Sequence, residues 1–280
     1  MLNKAAICAI CLLLQVSAAA QAQVYEWLDK QGRHHYSDRE QDRARILAVQ
    51  PANDAYHFVE KVFDGDTVLL GDGQKVRLLG INTPEVAGRN KAAESGGEEA
   101  RAWLRQRLTH RKVRLESDVE SRDKYGRTLA YVFTEDKQHI NLELVRQGLA
   151  FVNIYPPNLK YVDRLLAAQQ EAERAGLGIW RDPEYAPTQA VRLNATNYRG
   201  WKRVTGRVLG LKKTVKYSYL QFSDHVAVRI ENKILAALPP LSGYVGKNVE
   251  ARGWVAKSKD RFIVPVRHPG DMKMLSAWER

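Results

Sequence analysis

Between Asp64 and Arg127 the chain groups carboxylate, amide and guanidinium side chains in four short runs. These are Asp64-Gly65-Asp66-Thr67, an isolated Arg77 within the apolar run Val76–Ile81, Asn82-Thr83-Pro84-Glu85, and Asp123-Lys124-Tyr125-Gly126-Arg127. Carboxylates two positions apart on an extended chain share a face. Oxygen ligands of this kind suit a hard divalent cation. The spacing does not describe an EF-hand loop, because Val68 stands where an oxygen ligand is required. Taken singly, Asp-Gly-Asp reads as a turn and an arginine on a strand as a surface residue. The chemistry rests on their combination.

These residues need a rigid frame. Phe58–Val62, Val68–Leu70 and Val76–Ile81 are rich in β-branched and apolar residues, and Gly71-Asp72-Gly73 marks a hairpin turn. Ala100, Trp103, Leu104 and Leu108 follow helical spacing over 98–108. Val113–Leu115 and Leu129–Phe133 read as further strands. Asn141 is placed to cap a short helix ending at Arg146, before Gly148. Leu159–Ala175 reads as a longer amphipathic helix with Val162, Leu165 and Leu166 inward. Strands followed by helices around one core predict a small barrel with appended helices.

The ordered runs Val62–Val68, Val76–Glu85, Asp123–Tyr131 and Leu144–Ala150 resemble the staphylococcal-nuclease-like (thermonuclease) family, over roughly residues 57–182. The resemblance implies an OB-type five-stranded barrel with three helices over 56–182, and calcium-dependent cleavage of DNA and RNA. It implies Asp66, Asn82 and the Thr83 carbonyl around the Ca2+, with Asp64 close by. It implies Arg77 and Arg127 as phosphate-gripping arginines and Glu85 as the residue that orients or deprotonates the attacking water. Tyr125 would flank the nucleotide and Tyr155 line the same cleft. Phosphodiester hydrolysis suits such a set: a cation and two guanidinium forks oppose the charge that develops on the phosphoryl oxygens. One departure stands out. Where the best-known member has aspartate ahead of Thr-Pro-Glu, this chain has Asn82, which offers a carbonyl oxygen but no charge.

The chain's 280 residues are 44% hydrophobic and 27% charged, which excludes a disordered or collagen-like chain. Its excess charge is confined. Residues 183–280 hold 18 basic against 7 acidic residues, close to the whole net charge of +12. Such an imbalance points to a polyanion-binding face. Pro183 and Pro187 lie in a predicted linker over 183–198. Strands at Val204–Leu209, Tyr217–Phe222, Val226–Ile230, Val249–Val255 and Phe262–Val266, with a helical piece at Ile234–Leu238, predict a second, C-terminal OB-like β-barrel over 199–280. Alternation over 217–222 places Tyr217 and Tyr219 on one face and Leu220 and Phe222 on the other. With Lys212, Lys213 and Lys216 the tyrosines form an expected substrate-binding platform.

At the other end, Lys4, the apolar stretch Ala5–Ala19 and Ala20-Gln21-Ala22 read as a signal peptide over 1–22. Both cysteines, Cys8 and Cys11, fall inside it, so residues 23–280 use neither disulfides nor thiol chemistry. Residues 23–55 resemble the DUF4124-type module: a hairpin over 24–38, then a linker, with His34 and His35 as surface residues. The expectation is an exported, periplasmic or secreted, monomeric calcium-dependent nuclease acting on DNA and/or RNA, with no membrane span after signal cleavage. The alternative is a catalytically silent nuclease-fold module that binds nucleic acid or a protein partner at the cell envelope. Arg77, Glu85 and Arg127 together favour the enzyme, since a pure binder has no need of a water-directing carboxylate.

Overall fold

The computed structural model describes residues 24–29, 34–37, 39, 45–47, 55–88 and 92–276; the expected signal peptide lies outside them. Two compact units divide the chain, 1–53 and 54–280. In the first, β1 (Val24–Leu28) pairs antiparallel with β2 (His34–Ser37), as the hairpin reading requires. A third strand, β3 (Arg45–Leu47), pairs with the other edge of β1, where the sequence suggested the end of a linker. His35 stacks on Trp27 and its Nε2 lies 3.0 Å from the Asp29 carboxylate.

The second unit opens with a closed barrel. Its strands are β4 (Tyr56–Val62), β5 (Thr67–Leu70) and β6 (Lys75–Leu78), followed after the two-residue β7 (Ile81–Asn82) and helix α1 (Gly97–Leu108) by β8 (Lys112–Glu116) and β9 (Thr128–Thr134). Around the barrel the order is β4-β5-β6-β9-β8, with β6 and β9 parallel and β4 and β8 closing it. That is the OB-type topology. Helix α1 carries Glu98 and Glu99 in its first turn and Arg105 and Arg107 in its last, matching its dipole. It buries Ala100, Leu104 and Leu108 against the barrel. Helix α2 (Ile140–Arg146), strand β10 (Phe151–Val152) and helix α3 (Val162–Arg174) complete this part.

Asn141 does not cap α2. His139 takes that position, and Asn141 sits inside the first turn with no exposed surface. Its Oδ1 accepts from the Val132 N–H at 2.9 Å, and its Nδ2 donates to the carbonyls of Leu79 at 2.9 Å and Ala130 at 3.4 Å. A residue type read as a helix start thus braces the helix to two segments of the barrel, because buried main-chain groups there need partners.

Residues 183–198, expected to link two barrels, are packed. Tyr185, Ala190 and Leu193 are buried, and the short β11 (Thr188–Gln189) runs parallel to β12 (Trp201–Arg207). Next come β13 (Gly210–Lys213), β14 (Tyr217–Gln221), β15 (Val226–Glu231), β16 (Asn248–Trp254), β17 (Ala256–Ser258), β18 (Arg261–Val266) and β19 (Met272–Met274). One sheet has the order β13-β14-β15-β18-β17, the other β11-β12-β16-β19. β12 continues through Val208 and Leu209 into β13, and β16 through Val255 into β17. With each pair taken as one bent strand, the order repeats that of the first barrel, and β15 and β18 are again the parallel pair. The apolar pattern marks the five main strands but not β13, β17 and β19, whose residues are largely exposed or lysine-rich. The helical piece forms as a 3₁₀ turn over Asn232–Ala237. Among the described residues no helix is long and apolar enough to cross a membrane.

His139, at the start of α2, gives the packing of α2 and α3 on the closed barrel an acid-sensitive point. Its ring stacks on Phe133 at 4.6 Å and lies 4.7 Å from the Tyr161 ring, and among the described residues neither nitrogen finds a hydrogen-bond partner. Burial, then the charge of Arg164, outweigh the pull of Glu116 and push its pKa down to about 4 from 6.5. The unfolded histidine takes up a proton below about pH 6.5, whereas the folded one resists until about pH 4. Stability contributed by the neutral ring is therefore present above that window and lost as pH falls through it. His139→Phe keeps the stacking and removes the proton site. Denaturant midpoints measured from pH 7 to 4 are expected to fall less steeply in this variant; an unchanged slope would refute the assignment.

Candidate active site

The predicted carboxylates lie where β4 turns into β5. The Asp66 N–H donates to Asp64 Oδ1 at 3.0 Å, which closes the Asp-Gly-Asp turn. Asp66 is buried, and its Oδ2 accepts from the Thr83 N–H at 2.9 Å while its Oδ1 accepts from the Thr67 hydroxyl at 3.1 Å. Thr67 faces Arg77 across the β5–β6 ladder, so strand register delivers that guanidinium to the same place. Arg77 Nη2 lies 2.9 Å from Asp66 Oδ2 and donates to Asn82 Oδ1 at 2.8 Å and to the Ile81 carbonyl at 3.0 Å; Nη1 donates to the Leu78 carbonyl at 2.6 Å. Its five N–H groups exceed these four acceptors. The tertiary structure therefore gathers Asp64, Asp66, Arg77, Asn82 and Thr83 into one bonded cluster.

Asn82 has a defined orientation. Arginine only donates, so the amide oxygen must face Arg77, and Nδ2 then donates to the Thr83 carbonyl at 2.7 Å. The two oxygens expected beside a cation are thus both engaged by side chains. The donor set of Asp64, Asp66 and the Thr83 carbonyl still fits a hard cation in type. Burial, and after it the negative charge of Asp66, push the Asp64 carboxyl up to about 6. Among the described residues no cluster of three or more His, Cys, Asp or Glu is placed to hold a metal. A cation at this cluster would draw on main-chain or amide oxygens and water besides the two aspartates.

Glu85 follows on the loop after Pro84. Its N–H donates to Glu94 Oε2 at 2.9 Å and its carbonyl accepts from the Glu94 N–H at 2.8 Å. The start of α1 presses on this loop, since a Cβ at Gly97 would meet the Glu85 carbonyl oxygen at 2.5 Å. Arg127 precedes β9, the strand beside β6. Its Nε donates to Asp123 Oδ2 at 2.6 Å, and Asp123 Oδ1 accepts from the N–H groups of Tyr125 and Arg127. Burial works against the Asp123 charge, but these bonds outweigh it and hold the carboxyl below its ordinary range. Tyr125 is exposed, with the Arg127 guanidinium 5.6 Å from its ring. Both line a cleft of about 330 Å³ with Lys75 and Arg122, two basic residues that the sequence reading passed over. Tyr155 is half-exposed, and the Arg267 guanidinium from the C-terminal sheets lies 4.7 Å from its ring.

A second layer, also unforeseen, backs the cluster. Asn82 is the register partner of Phe151 in the β7–β10 pair. Phe151 stacks almost parallel on Trp201 of β12, with centroids 4.6 Å apart. Trp201, Tyr185 and Phe151 form a buried aromatic group with Trp180 and Trp254 partly buried against it. Nothing in the local pattern links Phe151 to Trp201, 50 residues on; only the fold does. The C-terminal platform residues divide. Lys212 and Tyr219 are register partners, and Tyr217 and Tyr219 both point away from the core, whereas Lys213 pairs with the inward Ser218. Lys216 lies 5.4 Å from the Tyr217 ring.

Gly65 shows how tightly the cluster is set. A Cβ there would come within 2.7 Å of the Thr83 side chain and 2.6 Å of Ala100 Cβ. Gly65→Ala is expected to part the Asp66 carboxylate from the Thr83 N–H and speed that amide's hydrogen exchange at least tenfold. Gly243→Ala, where a Cβ meets nothing within 4 Å, should leave it unchanged. Equal protection of the Thr83 amide in both variants would refute the close packing.

Residues 75–182 match the family described as Staphylococcal nuclease homologue, and residues 10–55 match the domain of unknown function DUF4124. The chain is 42% identical over 127 residues to a thermonuclease of Staphylococcus intermedius, covering 44% of this chain and 75% of that relative. It is 40% identical over 139 residues to a thermonuclease of Staphylococcus hyicus, covering 49% and 82%. Against Endonuclease YncB of Bacillus subtilis (strain 168) it is 37% identical over 132 residues, covering 45% and 62%.

Proposed function

The chain belongs to the staphylococcal nuclease homologue family, and we propose that it is an exported, calcium-dependent nuclease that hydrolyses phosphodiester bonds of DNA and/or RNA. The observation that carries this reading is the bonded cluster of Asp66, Arg77, Asn82 and Thr83, with Asp64 hydrogen-bonded to the Asp66 amide, at the junction of β5, β6 and β7. Lys4, the apolar run after it and the Ala20-Gln21-Ala22 pattern support export.

In this reading Arg127 and Arg77 bind the phosphoryl oxygens, and Asp123 holds the Arg127 fork in the orientation it needs. The Glu85 carboxylate accepts a proton from the attacking water, on a loop that Glu94 and Gly97 keep from drifting. Tyr125 supports the nucleotide and Tyr155 lines the same path. Asp64, Asp66 and the Thr83 carbonyl would hold calcium, which supplies positive charge opposite the developing phosphoryl charge. The engagement of the Thr83 carbonyl by Asn82 favours a second reading, a silent module that binds without cleaving. Incubating the full chain with DNA or RNA, with calcium and with a chelator, separates the two: cleavage that the chelator stops is expected, and intact substrate in calcium overturns the enzyme.

Loss of a group that opposes charge in the transition state costs on the order of 10²–10³ in rate. Glu85→Gln and Arg127→Ala are each expected to lower turnover by about that factor, with melting temperatures close to the parent's. Turnover near that of the parent in both variants would remove them from the catalytic set.

Asn82→Asp changes one atom of chemical consequence. The carboxylate can still accept from Arg77, and the N–H donor on the Thr83 carbonyl becomes an oxygen, so two oxygens converge where one bond closed the gap. Negative charge count raises calcium affinity in oxygen sites. The variant is expected to reach half-maximal cleavage at lower calcium. An equal or higher requirement would mean that the side chain at position 82 does not reach the cation.

A further inference from the structure

The charge of the C-terminal segment has two destinations. Arg203 and Arg252 are largely buried in an ion-pair network with Glu250 and Glu173. Another group of basic residues lies on the outward face of the sheet β13-β14-β15-β18-β17. There the ladder sets Lys212 opposite Tyr219 and Tyr219 opposite Arg229, a basic–aromatic–basic row across three strands. One pleat along, Tyr217 stands 6.3 Å from Tyr219 with the rings tilted at 62°. The β17–β18 hairpin brings Ser258 and Arg261 to the other side, closing a cleft of about 270 Å³ lined by Lys212, Tyr219, Gln221, Arg229, Ser258 and Arg261.

We infer that this face is a second nucleic-acid site, distinct from the nuclease cluster, which binds unpaired strands by stacking bases on Tyr217 and Tyr219 while Lys212, Arg229 and Arg261 meet the phosphates. The residue types decide the ligand. A polyanion without rings would use the basic residues and offer nothing that stacks on the two outward tyrosines. A duplex hides its base faces in its own stack, so an unpaired strand is the nucleic acid that presents a π-face to tyrosine.

The face is also held in shape before any ligand arrives. Ser218, between the tyrosines, and Leu220, after Tyr219, are buried and fix the strand's alternation. The Arg229 guanidinium lies 4.9 Å from the Tyr217 ring. The turn carrying Lys216 is pinned by Asn232, whose Nδ2 donates to the carbonyls of Thr214 at 2.9 Å and Val215 at 3.0 Å. Glu231, the carboxylate in register with Tyr217, is held by Lys233 at 2.8 Å. The bases then meet a preset surface, which lowers the ordering cost of binding.

The test uses the full chain in chelator, with fluorescein-labelled dT15 followed by anisotropy. Tyr217→Ala/Tyr219→Ala is expected to weaken binding at least tenfold, while Tyr217→Phe/Tyr219→Phe, which keeps the rings, stays within about twofold. A blunt duplex of equal length should bind at least tenfold more weakly than dT15. Lys212→Ala/Arg229→Ala/Arg261→Ala should flatten the dependence of log affinity on log salt by about 2, at roughly 0.7 per phosphate contact. An unchanged affinity in the alanine pair, equal affinity for duplex, or an unchanged salt slope would overturn the inference. Loss of dT15 binding in Tyr125→Ala/Arg127→Ala alone, with the tyrosine pair at parental affinity, would likewise overturn it and leave the nuclease reading standing. Weakened binding in the tyrosine pair, in a chain that cleaves nothing in calcium, would support it while that reading fails.

Discussion

The ion pair between Arg77 and Asp66 is the constraint on which the site depends. It joins the turn after β4 to strand β6, and both partners are largely buried. Breaking such a pair from one side leaves an uncompensated buried charge and costs about 3–5 kcal/mol. The arginine also donates to the carbonyls of Leu78 and Ile81, so it fixes main chain as well as side chains. Asp66 in turn holds the Thr83 N–H, which sets the direction of the loop leading to Glu85. The loop is thus held from outside, in addition to the limits that Pro84 sets on its own φ and on the backbone of Thr83.

The C-terminal sheets are part of this support and not an appendage on a tether. Phe151 lies between Asn82 and Trp201, touching one through a strand register and the other through a stacked ring. Below it, Arg252 reaches Glu173 of α3 with both terminal nitrogens, and Glu250 is gripped by Arg203 and Arg252. Burial opposes the charge of Glu250, but the two arginines outweigh it and keep the carboxyl below its usual range. Apolar stacking and a satisfied ionic network thus lie side by side across one junction, the first supplying area and the second direction.

The same division explains why a regional charge is a poor guide to a surface. Of the basic residues beyond 183, Arg203 and Arg252 neutralise buried carboxylates, Lys202 faces Glu184 at 4.0 Å, and Arg267 lies over Tyr155. The cations left on the outer sheet are fewer than the regional total, yet they are aligned by strand register with two tyrosines. Placement, more than count, sets the character of that face.

By itself the sequence determined the barrel strands and the main helices, because each depends on a local pattern, whereas the candidate site residues were named through the resemblance of short motifs to a family. Period-two apolar runs, helical spacing and short polar motifs are written in neighbouring positions. Asn141 shows the limit of that reasoning: a short polar residue near a helix start suggests a cap, and the partners that make it a buried brace, at Leu79, Ala130 and Val132, become visible only in three dimensions. The edge strands β13, β17 and β19 lacked an apolar signal because their stability comes from pairing with neighbours already in place. Only the tertiary structure decided that Asn82 turns its amide between Arg77 and the Thr83 carbonyl, and that Trp201 backs the site. Both depend on the closing of chain segments far apart in sequence, where packing and hydrogen-bond satisfaction, not propensity, select the geometry.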